Sequence, residues 1–188
     1  MLKKFLTSFL LLSLCTCGFQ VIYRDSKKSS DLSYTHELAA IRIKKDRVRL
    51  NQELKNNLYD ILNPDYVKVD PKYFLTLEVV ETLTPTFITI TGSSGRNKIT
   101  LTVSYVLKNL QTAEVISEGH TSVNDNYDVT DNRYGSQVAE NYVRSNLTKI
   151  AAQNTRNSLV NDFIELSQKC EEKAKSKDSA WFTCPLNK

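Results

Sequence analysis

From residue 73 to residue 107 the chain alternates apolar and polar residues with a period of two, and this pattern constrains the fold more than any other. Leu75, Leu77 and Val79 alternate with Thr76 and Glu78, as in a strand with one buried and one wet face. Pro85 interrupts the run, and Phe87-Ile88-Thr89-Ile90-Thr91 resumes it. Proline has no N–H for a ladder, so the interruption marks a bulge or an edge. Gly92-Ser93-Ser94-Gly95 reads as a hairpin turn, after which Ile99, Leu101, Val103, Tyr105 and Leu107 return as a second long strand. Thr100, Thr102 and Ser104 fall on its other face.

The other elements follow from local period. Leu38-Ala39-Ala40-Ile41-Arg42-Ile43 reads as a short first strand. A helix comes next: Asp46 stands at its N-cap, Leu50, Leu54, Leu58 and Ile61 form its apolar stripe, and Asn63-Pro64 ends it. A fourth strand is expected from about Glu114 to Val123, and a long polar helix from about Asp131 to near Gln168. In that helix Ala139, Val143, Leu147 and Ile150 share one stripe, whereas Leu159, Phe163 and Leu166 lie on a nearly opposite face. Either the helix breaks between Asn154 and Asn157, or its second half packs against something other than the sheet. The order β-α-β-β-β-α predicts an α+β fold: a mostly antiparallel four-stranded sheet with two helices packed on one face. The uncovered face would carry Thr89, Thr91, Thr100, Thr102 and Ser104, a composition that suits solvent or a polar cavity.

At the N-terminus Met1-Leu2-Lys3-Lys4 precedes an apolar segment from Phe5 to Leu14. It is shorter than the roughly 20 residues a bilayer-spanning helix needs and has the layout of a secretory signal. Leu14-Cys15-Thr16-Cys17 resembles a bacterial lipobox, with a leucine three places before the acceptor. Cys15 follows bulky Leu14 and is the poorer acceptor, which makes Cys17 the expected lipidation site. The expected organisation is a lipoprotein signal peptide (1–16), an α+β lipoprotein domain (17–168) and a C-terminal tail (169–188). Each buried CH₂ of a lipid contributes about 0.8 kcal/mol, and two lipid signals already anchor a chain stably. Gly18 rather than an aspartate follows Cys17, which points to the outer membrane, with the domain on its periplasmic side.

Cleavage before Cys17 leaves 172 of the 188 residues, enough for one domain with a real core. Losing Lys3 and Lys4 lowers the formal charge from +4 to +2, so basicity alone is no argument for nucleic acid. Cys170 and Cys184 remain as an even pair in an oxidising compartment and are expected to form a disulfide. Two thiols are too few for a structural zinc site, and His36 and His120 lack ligand-like neighbours, so neither metal nor cofactor is expected. Nor does any nucleophile elbow, phosphate loop or metal spacing gather the serines, histidines and aspartates, so an enzyme is not expected.

Three passages together carry a family likeness. They are Cys17-Gly18-Phe19-Gln20-Val21-Ile22-Tyr23, the basic-led strand from Arg96-Asn97-Lys98-Ile99 to Leu107, and Tyr127-Asp128-Val129-Thr130-Asp131-Asn132-Arg133-Tyr134 leading into Val138-Ala139-Glu140 and Ala151. In these passages, and in their order, the chain resembles the alphaproteobacterial branch of the LPS-assembly lipoprotein family, the plug subunit of the outer-membrane lipopolysaccharide translocon. The likeness spans nearly the whole mature chain; Thr16 before the acceptor and the Cys170/Cys184 tail depart from it. It implies a non-enzyme that sits in the lumen of a large β-barrel, assists the barrel's assembly and contacts lipopolysaccharide on its way to the outer leaflet. A barrel lumen is polar, which would account for the Thr/Ser face. Arg96 and Lys98, from their place after the hairpin turn, and then Arg133 and Lys149 would pair with lipid A phosphates. Each of these cations equally fits a solvated surface position. The alternative is an outer-membrane lipoprotein that activates a cell-wall synthase or scaffolds another barrel machine.

Overall fold

A computed structural model of the chain describes residues 34–88, 90 and 94–175. In chain order the elements are α1 (Thr35–Ala39), β1 (Ile41–Ile43), α2 (Arg49–Leu62), β2 (Tyr73–Ile88), β3 (Ser94–Asn109), β4 (Val115–Asp128) and α3 (Arg133–Lys175). The strands form one sheet in the order β1-β2-β3-β4. β1 pairs with β2 in parallel and the other two pairings are antiparallel. The α+β architecture is as expected, with one helix more. Leu38, assigned above to the first strand, is buried within α1, and the strand itself is only three residues long.

The alternating residues sort onto two faces as their period requires. Tyr73, Leu75, Leu77, Ile99, Leu101, Val103, Tyr105 and Leu107 are buried beneath the helices. Thr76, Thr100, Thr102 and Ser104 lie on the opposite, uncovered face; Thr89 and Thr91 lie outside the described residues. At Pro85 the β2–β3 register shifts, so Pro85 faces Asn97 and Phe87 faces Arg96 with Thr86 extra between them. Of the two readings of the interruption, a bulge or an edge, the register shift shows a bulge. β4 extends past Val123 to Asp128, because Val123 and Tyr127 continue its buried face. Opposite Tyr105 sits Gly119, where a Cβ would stand 2.6 Å from the tyrosine oxygen. The glycine leaves room for the Tyr105 hydroxyl to donate to Asp162 of α3 at 2.8 Å, and the Ser117 hydroxyl donates to the same carboxylate.

α2 buries Leu54, Leu58 and Leu62, with Leu50 and Ile61 partly covered. It ends before Pro64, since a residue preceding proline avoids the helical region. The Asp46 carboxylate does not cap this helix. It accepts the N–H groups of Arg47 (2.6 Å) and Val48 (3.2 Å), holding the turn before α2, and the N-cap Val48 has no side-chain cap.

α3 does not break. Its buried residues include Val143, Leu147, Ala151, Thr155, Leu159 and Phe163, one every fourth residue. Each step of four overshoots the 3.6-residue turn by about 40°, so the buried face travels around the helix. Its first half reaches Glu81 of β2 through Arg144, and its second half meets β3 and β4 at Asp162 as well as α2 and the start of β2. There Phe163 lies 5.2 Å from Tyr73 and the Arg156 Nε donates to the Ile61 carbonyl at 3.2 Å. Buried Thr148 and Thr155 return their hydroxyls to the carbonyls of Arg144 (2.7 Å) and Ala151 (2.8 Å), which satisfies both hydroxyls within the helix. The helix runs on to Lys175, into the segment expected as tail.

Candidate functional site

Where β2, β3 and β4 reach the hairpin end of the sheet, their uncovered face carries a cluster of polar and aromatic side chains. Register builds it: Arg96 on β3 lies between Phe87 on β2 and Asp128 on β4, and Lys98 lies between Thr84 and Asn126. Two residues apart on one strand, Arg96 and Lys98 point to the same face. They line an open cavity of about 790 Å³ with Thr86, Phe87, Gly95, Asn126 and Asp128. The Val129 N–H donates to the Gly95 carbonyl at 3.0 Å, tying the end of β4 to the start of β3.

The Arg96 Nε donates to Asp128 Oδ1 at 2.7 Å, both side chains being more than half exposed. That hydrogen bond, reinforced by the opposite charge, makes Arg96 a stronger base and lowers the Asp128 carboxyl below its ordinary value. An exposed pair of this kind contributes little to stability. Arg96 can therefore exchange Asp128 for another anion at small cost. Phe87 is 60% exposed, so the cavity offers an aromatic face beside two cations and the amide of Asn126. The arrangement is suited to binding; it lines up no nucleophile with a base.

Of the four cations expected to bind lipopolysaccharide, the structure brings Arg96 and Lys98 together. Arg133 is exposed at the start of α3, shortly after Asp128, and Lys149 is exposed farther along that helix, roughly 24 Å of helix away. Phe87, Asn126 and Asp128 were not anticipated. Asp128 could have been reached by continuing the period of β4 beyond Val123. Cys17 and Cys184 lie outside the described residues. Cys170 is disulfide-bonded. Among the described residues no group of three or more His, Cys, Asp or Glu is placed to hold a metal ion, and no helix is long and apolar enough to cross a membrane.

No protein-family model matches the chain, and no curated protein matches it. Solved structures do. A candidate lipoprotein from Caulobacter crescentus superposes with a TM-score of 0.54 at 18% identity, over 68% of this chain and 93% of its own. Rare lipoprotein B from Shewanella oneidensis gives 0.53 at 12% identity, over 68% and 96%. At these identities the likeness is one of fold: the chain has the α+β fold seen in these bacterial lipoproteins.

Proposed function

We propose that this chain is an outer-membrane lipoprotein that plugs the β-barrel lipopolysaccharide translocon, assists its assembly and contacts lipopolysaccharide during delivery to the outer leaflet. The observation that carries the reading is the hairpin-end cavity, where Arg96, Lys98 and Phe87 share one open face. Guanidinium and ammonium groups suit phosphates, Arg bidentately, and Phe87 suits the apolar faces of a glycolipid. The Thr/Ser-rich face continuous with the cavity suits a polar lumen. The fold shared with bacterial lipoproteins and the lipobox-like Leu14-Cys15-Thr16-Cys17 support the anchored state. In this reading the function is binding and assembly, without catalysis.

Two measurements test it. The native lipoprotein, affinity-purified from detergent-solubilised membranes, should bring down a β-barrel translocon; recovery of a cell-wall synthase instead would replace this reading with the synthase-activator alternative. The double variant Arg96→Ala, Lys98→Ala should bind lipopolysaccharide at least about tenfold more weakly than the parent at low salt, by a smaller factor at moderate salt, because screening weakens exposed charges. Equal affinities at both salt concentrations reject the hairpin-end site.

A further inference from the structure

The opposite border of the sheet carries a second surface. β1 pairs with β2 only as far as Leu75, although β2 continues to Ile88. The Tyr73 N–H donates to the Ala40 carbonyl at 3.3 Å, and the Leu75 carbonyl accepts the Lys44 N–H at 2.8 Å. Odd-numbered residues of β2 therefore direct their backbone groups towards the β1 side, and even-numbered ones towards β3. Past Leu75 the β1 side of β2 has no strand among the described residues. The N–H and C=O groups of Leu77, Val79, Glu81 and Leu83 thus form an open ladder, which ends at Pro85 and the bulge.

Beside this edge lies a groove of about 700 Å³, open because α2 begins only at Arg49. Val48, Leu50 and Val79 give it an apolar lining, and Arg144 closes its far wall, held by Glu81 (2.8 Å) and Glu140 (2.6 Å). Where β1 stops, the chain reads Lys44-Lys45-Asp46-Arg47-Val48-Arg49. The four cations are exposed, while the single carboxylate, Asp46, is engaged by the backbone of Arg47 and Val48 and by the Asn51 amide. Glu53 is the acidic residue on the α2 wall of the groove. A basic rim thus stands at the head of the open ladder.

We propose that the β2 edge accepts an extended polypeptide strand from a partner. Its alternate side chains are apolar and fill the groove, and its rim-side end is acidic. Edge addition of this kind takes affinity from the backbone ladder and specificity from the alternate side chains. Acidic residues against Lys44, Lys45, Arg47 and Arg49 fix register and orientation. An anionic lipid would satisfy the rim and the groove but leave the ladder unmatched, and this favours a polypeptide. The surface lies at the β1 border of the sheet and does not depend on the lipopolysaccharide reading of the hairpin end.

The test uses the purified mature chain and short peptides of alternating valine and threonine with glutamates at both ends. In an antiparallel added strand the residues facing the groove are those that exchange hydrogen bonds with odd-numbered β2 residues, and in a parallel one their neighbours are, so N-methylation of valines and threonines alike removes the ladder in either direction and leaves the charge. The glutamate-ended peptide should bind at least tenfold tighter than a lysine-ended one. It should slow amide exchange at Val79, Glu81 and Leu83 tenfold or more, with Glu78 and Val80 unchanged. Binding should be lost with the N-methylated peptide and in the variant Lys44→Glu, Lys45→Glu, Arg47→Glu, whose thermal unfolding should match the parent. Equal binding of the N-methylated peptide, or unaltered exchange at the edge, overturns strand addition. Binding of phosphatidylglycerol vesicles without any of the peptides also overturns it and makes the rim a lipid contact.

Discussion

The two ends of the β2–β3 hairpin are written in the same alternating pattern and lie in opposite environments. At the Tyr73 end, Tyr73, Leu75 and Leu107 are at most 1% exposed, beneath α2 and the second half of α3. At the other end Leu83, Phe87 and Ile88 are 50%, 60% and 63% exposed. The alternation fixes which residues share a face, but burial requires a layer to lie on that face. α2 begins only at Arg49, and its apolar stripe reaches no farther along β2 than the groove beside Val79. The covered end is thus built for stability, whereas the open end leaves apolar and charged groups exposed.

The largest contrast should come from matched truncations at the two ends. Leu107→Ala empties a fully buried position and should cost about 3 kcal/mol or more, whereas Leu83→Ala should cost less than about 1 kcal/mol. Urea unfolding of both variants checks this, and equal costs would erase the distinction between the ends.

Alkaline pH should act through the covered end. Burial raises the Tyr73 hydroxyl from its ordinary 10.0 to about 12. Burial, and then the hydrogen bond to Asp162, does the same for Tyr105. The unfolded chain loses these protons near pH 10, while the folded chain keeps them to about 12. Their contribution is therefore complete below pH 10 and is lost as pH rises through 12, by up to about 2 kcal/mol per tyrosine. Stability measured from pH 8 to 12 should fall less steeply in Tyr105→Phe, and an unchanged slope would remove Tyr105 from the account.

Between the ends stands Arg144, bridging Glu81 of β2 and Glu140 of α3 with all three side chains about a quarter exposed. Arg144→Ala should cost about 1 to 2 kcal/mol, the ion pairs being partly screened by solvent. A double-mutant cycle with Glu81→Gln isolates the bridge. The smallest stability effect is expected at the open end: Arg96→Ala should leave the unfolding midpoint unchanged while weakening lipopolysaccharide binding. A clear drop in the midpoint would make Arg96 a structural residue.

Much of this could be read locally. Pro85 marked the irregular stretch of β2, Asn63-Pro64 the end of α2, and a period of two the buried rows of β2 and β3. Arg96 and Lys98 were singled out by their place after the hairpin turn, and the same period puts them on one face. The continuity of α3 was hidden because Ala151, Ala152 and Thr155 carry the buried stripe between its two apolar sets. A small residue and a self-satisfied threonine bury well, yet neither registers as strongly apolar. The first strand was drawn too long because Leu38 is buried in α1 as it would be in a strand. Asp46 has a capping residue's identity but spends its carboxylate on the turn before the helix.

The sequence by itself determined the period of each element, and with it which side chains share a face, because that depends only on backbone geometry over neighbouring residues. Only the tertiary structure decided which faces are covered and which edges are left open. Asp128 reaches Arg96 across 32 residues of chain, the edge of β2 past Leu75 has no strand beside it among the described residues because β1 stops after three residues, and the hairpin end is exposed because α2 does not extend over it. These outcomes rest on contacts between segments distant in sequence, whose energies no local pattern encodes.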